Sequence, residues 1–181
     1  MPKVDRRVVK TQKVIKKAFL ELMSEKNFDD ITIQDISDRA NVNRSTVYLH
    51  YLDKYDLLDK LIEEHINELG ETSEWACQEE WIDATRIFFE YFENNYLFFS
   101  TMLASKGAPS FRSKFLELVI EGFKDELDIT KGKNKGLNED IIVKFAANAY
   151  LGVLESWLKD GMPYPPRVMA EQLGDLLERL L

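Results

Sequence analysis

Apolar residues recur every three or four positions along most of the chain, and that spacing predicts helices. Ile15, Ala18, Phe19, Leu22 and Met23 form one stripe on a first helix that ends near Asn27, with Phe28 closing the element. Thr32, followed three residues later by Asp35, has the form of a capping box. Ile33, Ile36 and Ala40 continue as the inner face of a short second helix that stops around Asn41. Asn43 is placed to cap a third helix whose Val47 and Tyr51, four apart, face inward. Asp53 is placed to cap a fourth, with Asp56 in its first turn and Leu57, Leu58, Leu61, Ile62, Ile66 and Leu69 on its buried side.

Beyond residue 80 the pattern stays helical and turns aromatic. Trp81, Phe88, Phe89, Tyr91, Phe92, Tyr96, Phe98 and Phe99 precede Gly107-Ala108-Pro109, and Phe111, Phe115, Leu118, Val119 and Phe123 follow it. With a further break at Asn95, the stretch predicts three helices. Residues 130–136, TKGKNKG, read as a loop; they lack the G-K-[ST] of a phosphate-binding loop. A long helix over roughly 139–160 is broken by MPYPP. The last helix, 166–181, carries Val168, Leu173, Leu176, Leu177 and Leu180 on one side. No strand signal competes, so the expected class is all-α.

Two short helices joined by a three-residue turn make a helix-turn-helix. Turning Val47 and Tyr51 inward leaves Arg44, Ser45, Tyr48 and Leu49 on one outward flank and Thr46 and His50 on the other. Such a face suits DNA: Arg forks onto guanine, Ser and Thr reach bases or phosphates, and Tyr and His donate to phosphate oxygens. Lys54 stands at a helix start, where anions collect.

Charge strengthens the case at one end only. The net charge is −8, yet residues 1–60 hold 12 basic and 10 acidic side chains, against 12 and 22 in residues 61–181. Lys3, Arg6, Arg7, Lys10, Lys13, Lys16 and Lys17 face Asp5 alone, which suggests a polyanion partner for the N-terminal end. With 181 residues and 45% hydrophobic content the chain can bury a proper core. It shows no apolar run near the ~18 residues of a membrane span and no signal-peptide pattern, so a cytoplasmic location is expected. Cys77 has no second cysteine, and His50 and His65 lack ligand spacing, so neither metal nor cofactor is expected. Paired carboxylate motifs, a nucleophile elbow and nucleotide fingerprints are missing too, which makes an enzyme the remote reading.

Residues from about 10 to 70, above all ITIQDISDRANVNRSTVYLHYLDKYDLLDKLIE, resemble the DNA-binding domain of TetR-family transcriptional regulators. The resemblance rests on the Thr-led second helix, Ile36, Ala40 and Val42, the T-x-Y-x-H-aromatic pattern at Thr46, Tyr48, His50 and Tyr51, and Lys54 ahead of an acidic residue and Leu57-Leu58. Where the family often has Gly before the turn's Val, this chain has Asn41, which also tolerates a left-handed backbone.

The resemblance implies an N-terminal three-helix DNA-binding domain at 1–56. A fourth helix would join it to a C-terminal bundle at 57–181 that binds an effector and forms a homodimer. Thr46, Tyr48, His50 and Lys54 would contact DNA, with Arg44 and Ser45 varying with the operator. A small-molecule pocket would draw on Trp81, Phe88, Phe92, Phe99, Met102, Phe115, Phe123 and Tyr150, with Ser100, Thr101, Asn148 and Tyr150 as candidate polar anchors, although aromatics at helical spacing also simply pack as core. Ala149, Gly152, Val153, Trp157, Leu173, Leu176 and Leu180 would form the dimer interface. The expected function is a repressor on a palindromic operator, released by an effector; the alternative is an adaptor or co-activator whose effector is another protein. The C-terminal half also resembles regulators linked by name to dihydroxyacetone kinase.

Overall fold

The computed structural model describes residues 6–76, 81–104, 109–126 and 134–179, and every regular element among them is helical. In α1 (Arg6–Glu25), the stripe Ile15, Ala18, Phe19, Leu22 and Met23 is buried as its spacing requires. A 3-10 turn, Phe28–Asp30, folds Phe28 back beneath α1, where its ring meets Phe19 edge-on at 6.1 Å.

Each end of the next helix, α2 (Ile33–Ala40), is closed by a local hydrogen-bond motif. At the start, the Asp35 N–H donates to Thr32 Oγ1 at 3.2 Å and the Thr32 N–H donates to Asp35 Oδ2 at 2.8 Å, a reciprocal capping box. The Lys26 ammonium donates to the same carboxylate at 2.9 Å. Together with the Thr32 bonds it holds the Asp35 carboxyl down to about 2. At the far end Asn41 adopts the left-handed conformation, φ 52 and ψ 48, and the Val42 N–H returns to the Ser37 carbonyl at 3.0 Å. Asn does there what Gly does in many such turns.

Residues 41–43 lead into α3 (Arg44–Tyr48). Asn43 occupies its N-cap position with extended backbone, but its side chain makes no capping bond, so only half of that expectation holds. Asp53 does cap α4 (Lys54–Ala76): its Oδ1 accepts the N–H groups of Tyr55 and Asp56, both at 2.9 Å. α4 then leaves the N-terminal unit and packs against α5 (Trp81–Asn94) and α7 (Pro109–Glu126).

The bundle is completed by α6 (Tyr96–Ala104), α8 (Glu139–Lys159) and α9 (Pro166–Glu178). α5 lies along α9, while α8 packs on α6 and α7, and α1 also touches α6. Asn138 caps α8 through the Ile141 N–H, and Pro166 opens α9, where a missing N–H costs nothing. Between those helices Gly161 and Met162 turn with positive φ, and the Trp157 indole donates to the Tyr164 carbonyl at 2.8 Å, pinning the connection. Most of the expected loop at 130–136 lies outside the described residues.

Candidate nucleic-acid interface

α3 ends at Tyr48, sooner than the sequence predicts, and together with the turn at 49–51 it presents two unlike sides. Val47 and Tyr51 are buried in the N-terminal core, and burial, with the charges of Glu64 and Asp56, pushes the Tyr51 phenol up to about 12. Opposite them Arg44, Ser45, Tyr48 and Leu49 are exposed, while Thr46 and His50 are half-buried. The outward side carries two ridges. On one, Arg44 Nη2 donates to Tyr48 Oη at 3.1 Å and the guanidinium lies 5.5 Å from the ring centre, so the two side chains orient each other one turn apart. On the other, the Leu49 N–H donates to the Ser45 carbonyl at 3.1 Å, which sets Leu49 one turn beyond Ser45. A polar cleft lined by Ser37, Asp38, Asn41, Val42, Asn43 and Thr46 runs beside the turn. Along α1, Arg6, Arg7, Lys10, Lys13 and Lys17 are exposed, whereas Lys16 pairs with Glu64 of α4. Lys3 lies outside the described residues.

Lys54 is turned away from that open surface. Its ammonium donates to the carbonyls of Phe28 at 2.9 Å and Asp29 at 2.8 Å and sits 4.8 Å from the centre of the Phe28 ring. Carbonyls at the 3-10 turn and a ring face both attract a cation, so in the free protein this residue staples the start of α4 to the turn that follows α1.

In the bundle, Phe92, Phe99, Met102, Phe115, Phe123 and Tyr150 are buried and Phe88 is half-buried; the Trp81 side chain lies outside the described residues. Phe92 meets Phe99 edge-on at 4.9 Å, Phe115 stands 5.9 Å from Phe92, and Phe123 meets Tyr150 at 5.9 Å. The candidate anchors divide. Ser100 and Asn148 donate to carbonyls of their own helices, whereas Thr101 Oγ1 is buried without a hydrogen-bond partner. A polar cluster joins α4 to this aromatic layer. Tyr91 Oη donates to Glu68 Oε2 at 2.6 Å, leaving the hydroxyl to accept from His65 Nδ1 at 2.7 Å, and the imidazole stacks on Phe98 at 3.8 Å. Burial holds the His65 pKa below its ordinary value of 6.5.

The expected dimer residues also divide. Ala149, Val153 and Leu176 are exposed and Gly152 is half-buried with open space around it, but Trp157 and Leu173 are 3% and 5% exposed. Those two belong to the protomer's own core: Trp157 packs edge-on against Phe89 at 5.2 Å and so has no area left for a second copy. Leu180 lies outside the described residues. Beside the exposed Ala149, Val153 and Leu176, further apolar area left outside comes from Ile141 and Phe145 on α8, four apart and 67% and 61% exposed, and from Val168 on α9.

Residues 79–179 match the C-terminal region of TetR-type transcriptional regulators, and residues 15–61 match the bacterial regulatory proteins of the tetR family. The chain belongs to the TetR family. A TetR transcriptional regulator from Streptococcus agalactiae 2603V is 25% identical and superposes with a TM-score of 0.71 over 96% of both chains. An uncharacterised HTH-type regulator, YxbF, of Bacillus subtilis is 42% identical over 67 residues, which cover 36% of this chain and 18% of that protein. The dhaKLM operon transcriptional activator DhaS of Lactococcus lactis is 29% identical over 90 residues, 49% of this chain and 46% of its own length. The chain thus matches less than half the length of either curated relative.

The chain therefore carries both the helix-turn-helix and the C-terminal region of this family of transcriptional regulators. Sequence reasoning found the outward residues of α3 because a three-residue turn leaves little choice of face. The exposed Ile141 and Phe145 were not singled out, since α8 carries apolar residues on more than one side and its periodicity marks no single face. Sequence reasoning also missed the union of His65, Glu68 and Tyr91, which lie up to 26 positions apart with no local pattern to link them.

Proposed function

We propose that this TetR protein acts in the cytoplasm as a homodimeric repressor that binds a palindromic operator and releases it when a small molecule enters the C-terminal half. The division at residues 56 and 57 separates reading from response. The observation that carries the proposal is the outward side of α3, where hydrogen-bonding side chains stand exposed beside Arg44, already oriented by Tyr48. Arg44 and Ser45 read base edges. Thr46, Tyr48, His50 and the basic side of α1 hold phosphates, and Lys54 keeps α3 and α4 in place for that task.

Exposed apolar area on α8 supports the dimer. The helix is long and apolar enough to cross a membrane by length and composition, yet only half of that stretch is buried in the bundle. A second copy seated on Ile141, Phe145, Ala149, Gly152 and Val153, with Val168 and Leu176 of α9, covers the remainder across a two-fold axis. Two-fold symmetry then requires half-sites separated by one or more helical turns, ~34–36 Å each. The aromatic layer supplies the apolar lining of an effector site, and the effector acts by favouring one spacing of the two α3 helices, with ~1–3 kcal/mol of coupling typical.

Fluorescence anisotropy on a selected palindrome and a scrambled duplex, at several salt concentrations, tests this function. Arg44→Ala is expected to relax preference at one base position by ~1–3 kcal/mol. In the same titration Lys54→Ala is expected to weaken all duplexes with an unchanged salt slope; a slope smaller by about one unit marks a direct phosphate contact instead. If Arg44→Ala leaves binding unchanged, α3 is not the reading element. The activator name of the Lactococcus lactis relative favours a second reading, activation in place of repression, of which an adaptor or co-activator with a protein effector is one form. A gel shift that needs an added protein selects that form.

A further inference from the structure

Among the described residues the two most exposed large apolar side chains in the molecule are Leu49 at 80% and Leu52 at 79%, both beside the polar face of α3. They differ in placement. Leu49 lies on the ridge it shares with Ser45, fixed by the hydrogen bond between its N–H and the Ser45 carbonyl. Leu52 lies past the helix, its N–H held at 2.9 Å by the Asp56 carboxylate in the first turn of α4.

We propose that Leu49 is a specificity-determining residue that recognises the C5-methyl group of a thymine in the operator. The inference rests on the assignment of α3 to the major groove and adds a base identity to it. A leucine has no donor or acceptor, so the polar edges of guanine, cytosine and adenine give it nothing to bind. The thymine methyl is the one apolar group that the major groove displays. The occupant is DNA rather than another apolar surface because the neighbours are cationic: Arg44 flanks the ridge, and residues 1–60 carry a net excess of basic side chains on an otherwise acidic protein. One helical turn, ~5.4 Å, separates Ser45 from Leu49, so the thymine lies one to two base pairs from the base that Ser45 meets.

Replacing thymine by deoxyuridine removes the methyl group and nothing else, which gives a direct test. On a selected palindromic operator, each thymine of one half-site is changed singly to deoxyuridine and binding is measured by anisotropy. Wild type is expected to lose about fourfold in affinity at one thymine, the effect of one methyl group taken from water. Leu49→Ala is expected to bind the thymine and uracil operators equally, while Leu52→Ala keeps the fourfold difference. Leu49 takes no part in the core, so thermal melts of the variants should coincide with wild type. The inference is overturned if wild type is indifferent to every uracil, or if Leu49→Ala retains the difference. Failure of wild type to tell the operator from a scrambled duplex instead removes the DNA-reading assignment of α3, and this inference with it.

Discussion

The two halves of this TetR regulator hold their shape by different means. In the N-terminal unit, α2 and α3 are 8 and 5 residues long, too short to persist alone, and their ends are set by local devices: the Thr32–Asp35 box, left-handed Asn41 and the Asp53 cap. In the C-terminal half most of the helices are longer and are joined by ring contacts such as Phe98 on Phe111 at 5.1 Å and Phe89 on Trp157 at 5.2 Å. Hydrogen bonds are directional, so the first arrangement fixes where exposed groups point, as a reading surface requires. Ring packing tolerates small rearrangement, which suits the ligand response proposed for this half.

The largest expected effect comes from the outer side of the apolar half. Phe145→Glu places a charge on the exposed stripe of α8 without touching the buried layer, and should leave a folded monomer that no longer binds operator at micromolar concentration. Sedimentation and circular dichroism check both parts. A dimer that survives the change would locate the two-fold axis elsewhere. Next in size, Phe99→Ala opens a hole among Phe92, Phe98, Phe111 and Phe115 and should cost ~3–5 kcal/mol in denaturant unfolding. A much smaller loss would show that those rings already surround empty space.

Caps should matter less for stability and more for the surface they aim. Thr32→Ala removes one side of the box and should cost about 1 kcal/mol in the same assay. The smallest effect belongs to the joint between the halves. His65 has its pKa lowered by burial, so the unfolded chain binds a proton there more readily than the folded one. Stability should therefore be intact above the unfolded value of 6.5 and decline as pH falls below it. Thermal melts from pH 7.5 to 5.5 should show a shallower decline in His65→Gln than in wild type; equal slopes would assign the decline to other groups.

This contrast also explains what could be read from the sequence. Thr32 and Asp35 lie three apart, and Asn41 precedes the valine of a turn whose length admits one geometry, so α2, the turn and the outward set on α3 were legible. Lys54 was not: its partners are carbonyls 25 and 26 residues earlier, and only the folded chain brings the 3-10 turn beneath it. Trp157 and Leu173 failed for a related reason. Both sit on helices with apolar residues on two sides, and periodicity cannot say which side meets the protomer's own α5 and which is left over.

α4 runs without interruption from Lys54 to Ala76, with one end stapled to the 3-10 turn that follows α1 and His65 near its middle held by α5 and α6. A continuous helix of this kind is a lever. About 16 Å separates Lys54 from His65 at the usual rise per residue, so a tilt of ~10° about the level of His65 carries the Lys54 end through about 3 Å. In the proposed two-fold dimer both ends would move, and the gap between the two α3 helices would change by up to about twice that amount, close to the step of two base pairs along DNA.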